Sequence, residues 1–176
     1  MTVLEAALEK TAPVEPEHVA HRKLVIMAWS GDLDKIWPTF ILGTTGAAMG
    51  METTIFFTFW GLFPLVRNDV HITGENWMQK MMSMMNRGGT EHLGLSKMNF
   101  AGAGPAMMKK LAEDHHVASP NELLEVARDL GVHLVPCQMT MDLLGLTKDD
   151  LIDGLEEPAG ATSALLEAQD AVTLFI

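Results

Sequence analysis

The side chain best suited to covalent chemistry in this 176-residue chain is Cys137, its only thiol. A thiolate is a strong nucleophile, and free backbone N–H groups near the sulfur favour that ionised form. Cys137 follows residues 132–136 (Val-His-Leu-Val-Pro), which read as a short strand. It precedes residues 139–144, which read as a helical turn closed by Gly145. The sulfur thus belongs at a strand's carboxyl end against a helix start, with Pro136 stiffening the approach and no carboxylate before Asp142 to oppose ionisation. Residue type alone leaves a second reading standing, because free cysteine is among the most buried residues and is often only structural.

The other chemically capable residues make weaker patterns. Seven histidines are present, including the His18/His21 pair and the adjacent His115 and His116. None has cysteine or carboxylate partners at ligand spacing, so no metal site is expected. His71 and His92 lie in an irregular stretch that could fold over the crevice, yet no spacing selects either as an acid–base neighbour of Cys137. Met78, Met81, Met82, Met84 and Met85 follow helical spacing. Such a stripe suits a core, but so many methionines specify packing poorly and suit an adaptable contact surface equally well. Glycine pairs at Gly43/Gly46 and Gly102/Gly104 lack the lysine and the preceding strand of a phosphate loop, and no cofactor is expected.

These residues need a scaffold. Residues 23–29 form a compact apolar run ended by Ser30-Gly31-Asp32, a first strand and turn. A helix is expected over 33–49 and a second strand over about 53–60, ended by Gly61 and Pro64. Residues 62–103 read as an insertion, with a helix at 77–85. Helices are expected at 105–115 and 122–130, a third strand at 132–136, a short helix capped by Thr147, a short strand opening at 153–155, a helix at 161–168 and a last strand at 172–176. Strands alternating with helices predict an α/β fold, with a parallel sheet of four or five strands and helices on both faces. In such a sheet the ligand crevice lies outside the strands' carboxyl ends. That rule places Ser30, Gly31, Trp60 and Gly61 as walls of a pocket around Cys137.

Composition narrows the function classes. Twelve Lys and Arg against 23 Asp and Glu leave a net charge of −11, which disfavours nucleic-acid partners. A lone cysteine excludes an intrachain disulfide scaffold. Residues 1–21 read as an acidic arm and residues 22–176 as a single domain; the arm lacks the basic and apolar regions of a signal peptide. Residues 36–66 carry one charge, Glu52, and pass a simple hydropathy scan for a membrane span. Pro38, Gly43, Gly46 and Gly50, followed by a β-branched and aromatic run, favour a buried helix and a buried strand instead. Membrane association is the less favoured reading.

The segment Val135-Pro136-Cys137-Gln138-Met139-Thr140-Met141-Asp142-Leu143-Leu144-Gly145-Leu146 resembles the DsrE/DsrF-like sulfur-relay family, in its single-cysteine, peroxiredoxin-like DsrE branch of sulfur oxidisers. The resemblance continues through Trp29-Ser30-Gly31-Asp32-Leu33-Asp34-Lys35, the glycine-spaced helix and Phe57-Thr58-Phe59-Trp60-Gly61-Leu62. It implies a homo-oligomeric α/β protein of the cytoplasm whose Cys137 carries sulfane sulfur or thiosulfate. It also implies partners among TusA-like sulfur carriers, rhodaneses and heterodisulfide-reductase-like complexes. Some branches hold a second cysteine near the first loop; Ser30 stands in that region here, so a two-cysteine cycle within one chain is not available. The expected function is a sulfur carrier or sulfurtransferase. The alternative is a non-catalytic oligomeric binding or regulatory module with a structural cysteine.

Overall fold

The computed structural model describes residues 23–68 and 88–176. The acidic arm, His18, His21, His71 and the methionine cluster at 78–85 lie outside the described residues. In chain order the principal elements are β1 (Lys23–Ala28), α1 (Leu33–Ala48), β2 (Glu52–Phe57), α2 (Ala103–Asp114), α3 (Pro120–Asp129), β3 (His133–Pro136), α4 (Gln138–Leu144), α5 (Ala161–Glu167) and β4 (Ala171–Phe175). A 3-10 helix (Phe59–Leu65) follows β2, and shorter 3-10 turns stand at Thr90–His92, Phe100–Gly102 and Lys148–Asp150. The strands form one parallel sheet in the order β3-β2-β1-β4. This is the α/β architecture expected from the strand–helix alternation.

Period-two alternation decides what each face meets. Leu24, Ile26 and Ala28 of β1, Ile55 and Phe57 of β2 and Leu134 of β3 pack with Ile36 and Phe40 of α1 and Leu124 of α3 in the main core. Glycines allow α1 to lie close on this face. A Cβ at Gly43 would stand 2.7 Å from Ile55 Cδ1, and one at Gly46 would stand 2.5 Å from Leu24 Cδ2. The hydrophobic run that passes a membrane scan is therefore a helix, a strand and a 3-10 helix folded into one core. Among the described residues no helix is long and apolar enough to cross a membrane. The opposite face is thinly covered: Phe56, Cys137 and Ala164 of α5 form a small cluster with Met27, Val135 and Ala159 at its margin. Beside it lies a cavity of about 290 Å³ lined by Val25, Thr54, Phe56 and Val135, with His133 and Glu156 also on its wall.

Three expectations need correction. The second strand stops at Phe57, not at residue 60, because Phe59 turns the chain with φ 47° into the 3-10 helix that contains Trp60 and Gly61. Helix α2 starts at Ala103, so Pro105 lies inside its first turn, where a missing N–H leaves no helical bond unmade. No strand forms at 153–155: Gly154 turns at φ 77°, and Pro158 lacks the N–H that a ladder needs. That segment instead runs beside β3, donating from the Glu156 amide to the Leu134 carbonyl at 2.9 Å and from Ala159 to Pro136 at 3.0 Å.

The described end of the insertion returns to the sheet's carboxyl edge. The Leu33 amide donates to the Gly94 carbonyl at 2.7 Å, and the Ser96 amide and hydroxyl donate to the Asp34 carboxylate at 2.8 and 2.5 Å. Burial raises the Asp34 pKa, but the Ser96 bonds, the Asp34 backbone amide and the neighbouring Lys35 charge together hold this carboxyl below its ordinary value.

Candidate functional site

Cys137 is the residue where β3 becomes α4. Its amide donates to the Phe57 carbonyl at 2.9 Å, continuing the β2–β3 ladder, and its carbonyl accepts from Met141 at 3.1 Å, opening the helix. The Gln138 amide donates to the Ala159 carbonyl at 3.0 Å, which fixes the other side of the turn. Gly145 closes α4 at φ 70°, a left-handed position that a side chain would strain. The cysteine is thus held at a sheet edge by backbone bonds on three segments, and it is only 4% exposed.

Two opposing influences act on the sulfur. Burial is the larger single effect and raises its pKa. Against it stand four neutral donors: the Thr140 hydroxyl, the Thr140 amide, the Thr58 hydroxyl and the Met139 amide. Together they outweigh burial, so the thiol ionises below its ordinary pKa. The two hydroxyls lie 3.2 Å apart, and the Phe59 amide donates to Thr140 Oγ1 at 3.0 Å. Thr140 itself is 1% exposed. Phe56, Ala159, Ala164, Val135 and Met27 complete an apolar surround on the second sheet face. Such a site stabilises a soft, weakly hydrated anion by short-range donors rather than by a charged side chain.

The four residues expected to wall a pocket all lie in the two loops at this edge. Ser30 is buried; its hydroxyl donates to Asp32 Oδ2 at 2.9 Å and accepts from the Asp32 amide at 3.2 Å. A Cβ at Gly31 would stand 2.5 Å from the Trp60 carbonyl oxygen, and one at Gly61 would stand 2.1 Å from the Ala28 carbonyl oxygen. The two loops therefore cross in backbone contact. Trp60 is 40% exposed and stacks on Phe63 with ring centroids 5.9 Å apart. None of these four residues donates to the sulfur. That role falls to Thr58, Thr140 and Met139, which sequence reasoning passed over. Thr140 sits three residues after Cys137, where a helix start brings the side chain back towards its cap, so its spacing carried a usable signal. Thr58 carried none, because only the β2–β3 pairing brings it near.

His92 is exposed and lines a separate cavity with Asn99, Pro105 and Lys109. His115 and His116 stand at the end of α2. Among the described residues no group of three His, Cys, Asp or Glu side chains could hold a metal ion.

Comparison with known proteins gives the site its context. The model of the DsrE/DsrF/DrsH-like family matches residues 20–175. YrkE of Bacillus subtilis, an uncharacterized protein, is 40% identical over 156 residues, covering 88% of this chain and 97% of its own. The sulfur carrier protein DsrE2 of Allochromatium vinosum is 36% identical over 158 residues, covering 88% and 98%. Two solved structures share the fold at low identity. One is the YchN protein of E. coli, with TM-score 0.54 and 14% identity over 88% of this chain and 99% of its own. The other is MTH1491 of Methanobacterium thermoautotrophicum, a protein of unknown function, with TM-score 0.50, 11% identity and the same coverage. The family match over nearly the whole chain, together with the parallel sheet that ends in Cys137, shows that this protein belongs to the DsrE/DsrF/DrsH-like family.

Proposed function

We propose that the protein is a cytoplasmic sulfur carrier whose Cys137 holds sulfane sulfur, as a persulfide or as an S-thiosulfonate, and passes it to a partner thiol. What supports the reading is the place of Cys137, where β3 becomes α4 at the carboxyl edge of the parallel sheet, with neighbouring Thr58, Thr140 and Met139 holding its pKa below the ordinary value against burial. In the loading step the Cys137 thiolate attacks a sulfane sulfur of the donor. A new S–S bond forms, the donor's S–S bond breaks, and the donor leaves as a shorter polysulfide or thiolate, as sulfite from thiosulfate, or as thiosulfate from tetrathionate. Unloading is the same exchange with the partner's thiolate as nucleophile. Ser30, Gly31, Trp60 and Gly61 wall the approach, their loops locked by backbone contact. TusA-like carriers, rhodaneses and heterodisulfide-reductase-like complexes are the proposed exchange partners, and the working form is a homo-oligomer of the single-cysteine branch.

Intact-mass measurement after incubation with polysulfide, thiosulfate or tetrathionate tests this reading. A gain of one or more sulfur atoms, or a thiosulfonate adduct, is expected on the native chain and not on Cys137→Ser. The 4% exposure of Cys137 favours a second reading, a non-catalytic oligomeric module with a structural cysteine. Alkylation of the native thiol as slow as that of a fully buried one, with no sulfur loading, would establish that reading instead.

A further inference from the structure

The thinly covered face of the sheet leads row by row to the sulfur. Register sets Val25, Thr54 and His133 side by side in one row and Met27, Phe56 and Val135 in the next. Cys137 lies two residues beyond Val135, about 7 Å further along the same face, and packs with Phe56 and Ala164. The cavity of about 290 Å³ sits on these rows and shares Phe56, Val135, Ala159 and Ala164 with the surround of Cys137. Thr54 lines it, is only 6% exposed, and its hydroxyl has no hydrogen-bond partner among the described residues. Every fully covered side-chain nitrogen and oxygen among those residues has a partner, so this oxygen is not fully covered, and the space it meets is the cavity. A buried hydroxyl left unpaired towards a cavity marks a place where an incoming group completes the bonding.

We propose that this cavity docks the partner protein that accepts sulfur from Cys137, and that it seats a lysine or arginine of that partner together with an apolar neighbour. The proposal deepens the carrier reading above and rests on it. Val25, Phe56, Val135 and Ala164 offer an apolar floor. The rim is acidic: Glu52, Glu156, Glu157 and Glu167 line it, and no lysine or arginine does. Lys23 pairs with Glu52 and Glu167 at 3.4 Å each, Lys148 pairs with Glu157, and His133 Nδ1 lies 2.7 Å from Glu156. Two lysines against four carboxylates leave the rim negative, in a chain whose net charge of −11 already draws cations. Lysine and arginine have the matching build, an apolar stem that lies on apolar surface and a cationic head that stays at the rim. The Thr54 hydroxyl then accepts from an N–H of the seated segment. Cys137 is only 4% exposed, so a partner thiol reaches it only when the partner is held against this part of the sheet, and a cavity sharing the sulfur's walls supplies that hold.

A short blocked peptide of alternating leucine and lysine, without cysteine, is the probe, and fluorescence anisotropy reads its binding to the full chain. The native protein should bind it and should not bind the same peptide with glutamate for lysine. Thr54→Val, which keeps the shape and removes the hydroxyl, should weaken binding about fivefold. Its melting temperature should not fall, because that hydroxyl has no partner within the fold to lose. Glu52→Gln with Glu167→Gln should weaken binding about tenfold, since two rim charges go and Lys23 is left unpaired. Ser163→Trp, placed on the exposed wall, should block the cavity and abolish binding. Glu113→Gln on α2 changes the net charge equally far from the cavity and should leave affinity as it was. Equal binding of the two peptides, native affinity in both Thr54→Val and Ser163→Trp, or as large a loss in Glu113→Gln overturns the proposal. Failure of the native protein to load sulfur from polysulfide would overturn the carrier reading instead, and the cysteine-free peptide still decides whether the cavity takes a basic segment.

Discussion

Replacing Gly61 by alanine should disturb the fold and the sulfur site together. A Cβ there would stand 2.1 Å from the Ala28 carbonyl oxygen, 2.6 Å from its carbon and 3.1 Å from the Trp29 nitrogen, while ordinary contacts begin near 3.4 Å. All three atoms are backbone of β1 or its end, so none can rotate aside. The loop must retreat by about 1 Å, more than its hydrogen bonds from Gly61 to Trp29 and Thr58 tolerate. Overpacking of this kind costs about 1–3 kcal/mol, and an unpaired buried N–H adds about 1 kcal/mol or more. A total of about 2–4 kcal/mol lowers the melting temperature of a chain this size by roughly 5–15 °C. Thermal unfolding followed by circular dichroism measures it, and the pH midpoint of Cys137 alkylation should rise as Thr58 moves. Gly43→Ala is the comparison: its Cβ meets side-chain atoms alone, the closest being Ile55 Cδ1 at 2.7 Å, and the helix gains from alanine, so it should cost less than Gly61→Ala. A melting point for Gly61→Ala within about 2 °C of the native value would refute the reasoning.

Other outcomes follow from the same geometry. Asp34 has a folded pKa below its unfolded value, so its bonds to Ser96 stabilise the fold above the unfolded pKa and cease to do so as pH falls through the folded one. Ser96→Ala should therefore lower the melting temperature at neutral pH and flatten its decline in acid; an unchanged acid branch would count against the link. Met81 and Met85 have the i, i+4 spacing expected of one helical face, and their replacement by lysine should split the proposed homo-oligomer when mass is measured by light scattering. An unchanged mass would remove that segment from the interface. With iodoacetamide, the native Cys137 should react half-maximally below the pH of an ordinary thiol, because its ionised form is favoured.

Much of the architecture was legible because it depends on local pattern. Apolar runs of strand length, helix caps such as Ser119 with Glu122, and the alternation of strand and helix are written in neighbouring residues, and they determined a parallel α/β sheet with Cys137 at its carboxyl edge. The single thiol needed no structure to be singled out. What surrounds the sulfur was decided only by tertiary contact. Thr58 comes near it because β2 pairs with β3, and the strand expected to run to Trp60 stops at Phe57 because the turn at Phe59 answers to hydrogen bonds that the Thr58 and Gly61 amides donate to the Ala28 and Trp29 carbonyls, far away in sequence. The expected strand at 153–155 failed for a related reason: Gly154 and Pro158 outweigh its apolar residue, and β3 receives only scattered bonds from it. Residue type and spacing carry the chemistry of one side chain, whereas the donors that tune it converge from separate segments, and convergence is a property of packing alone.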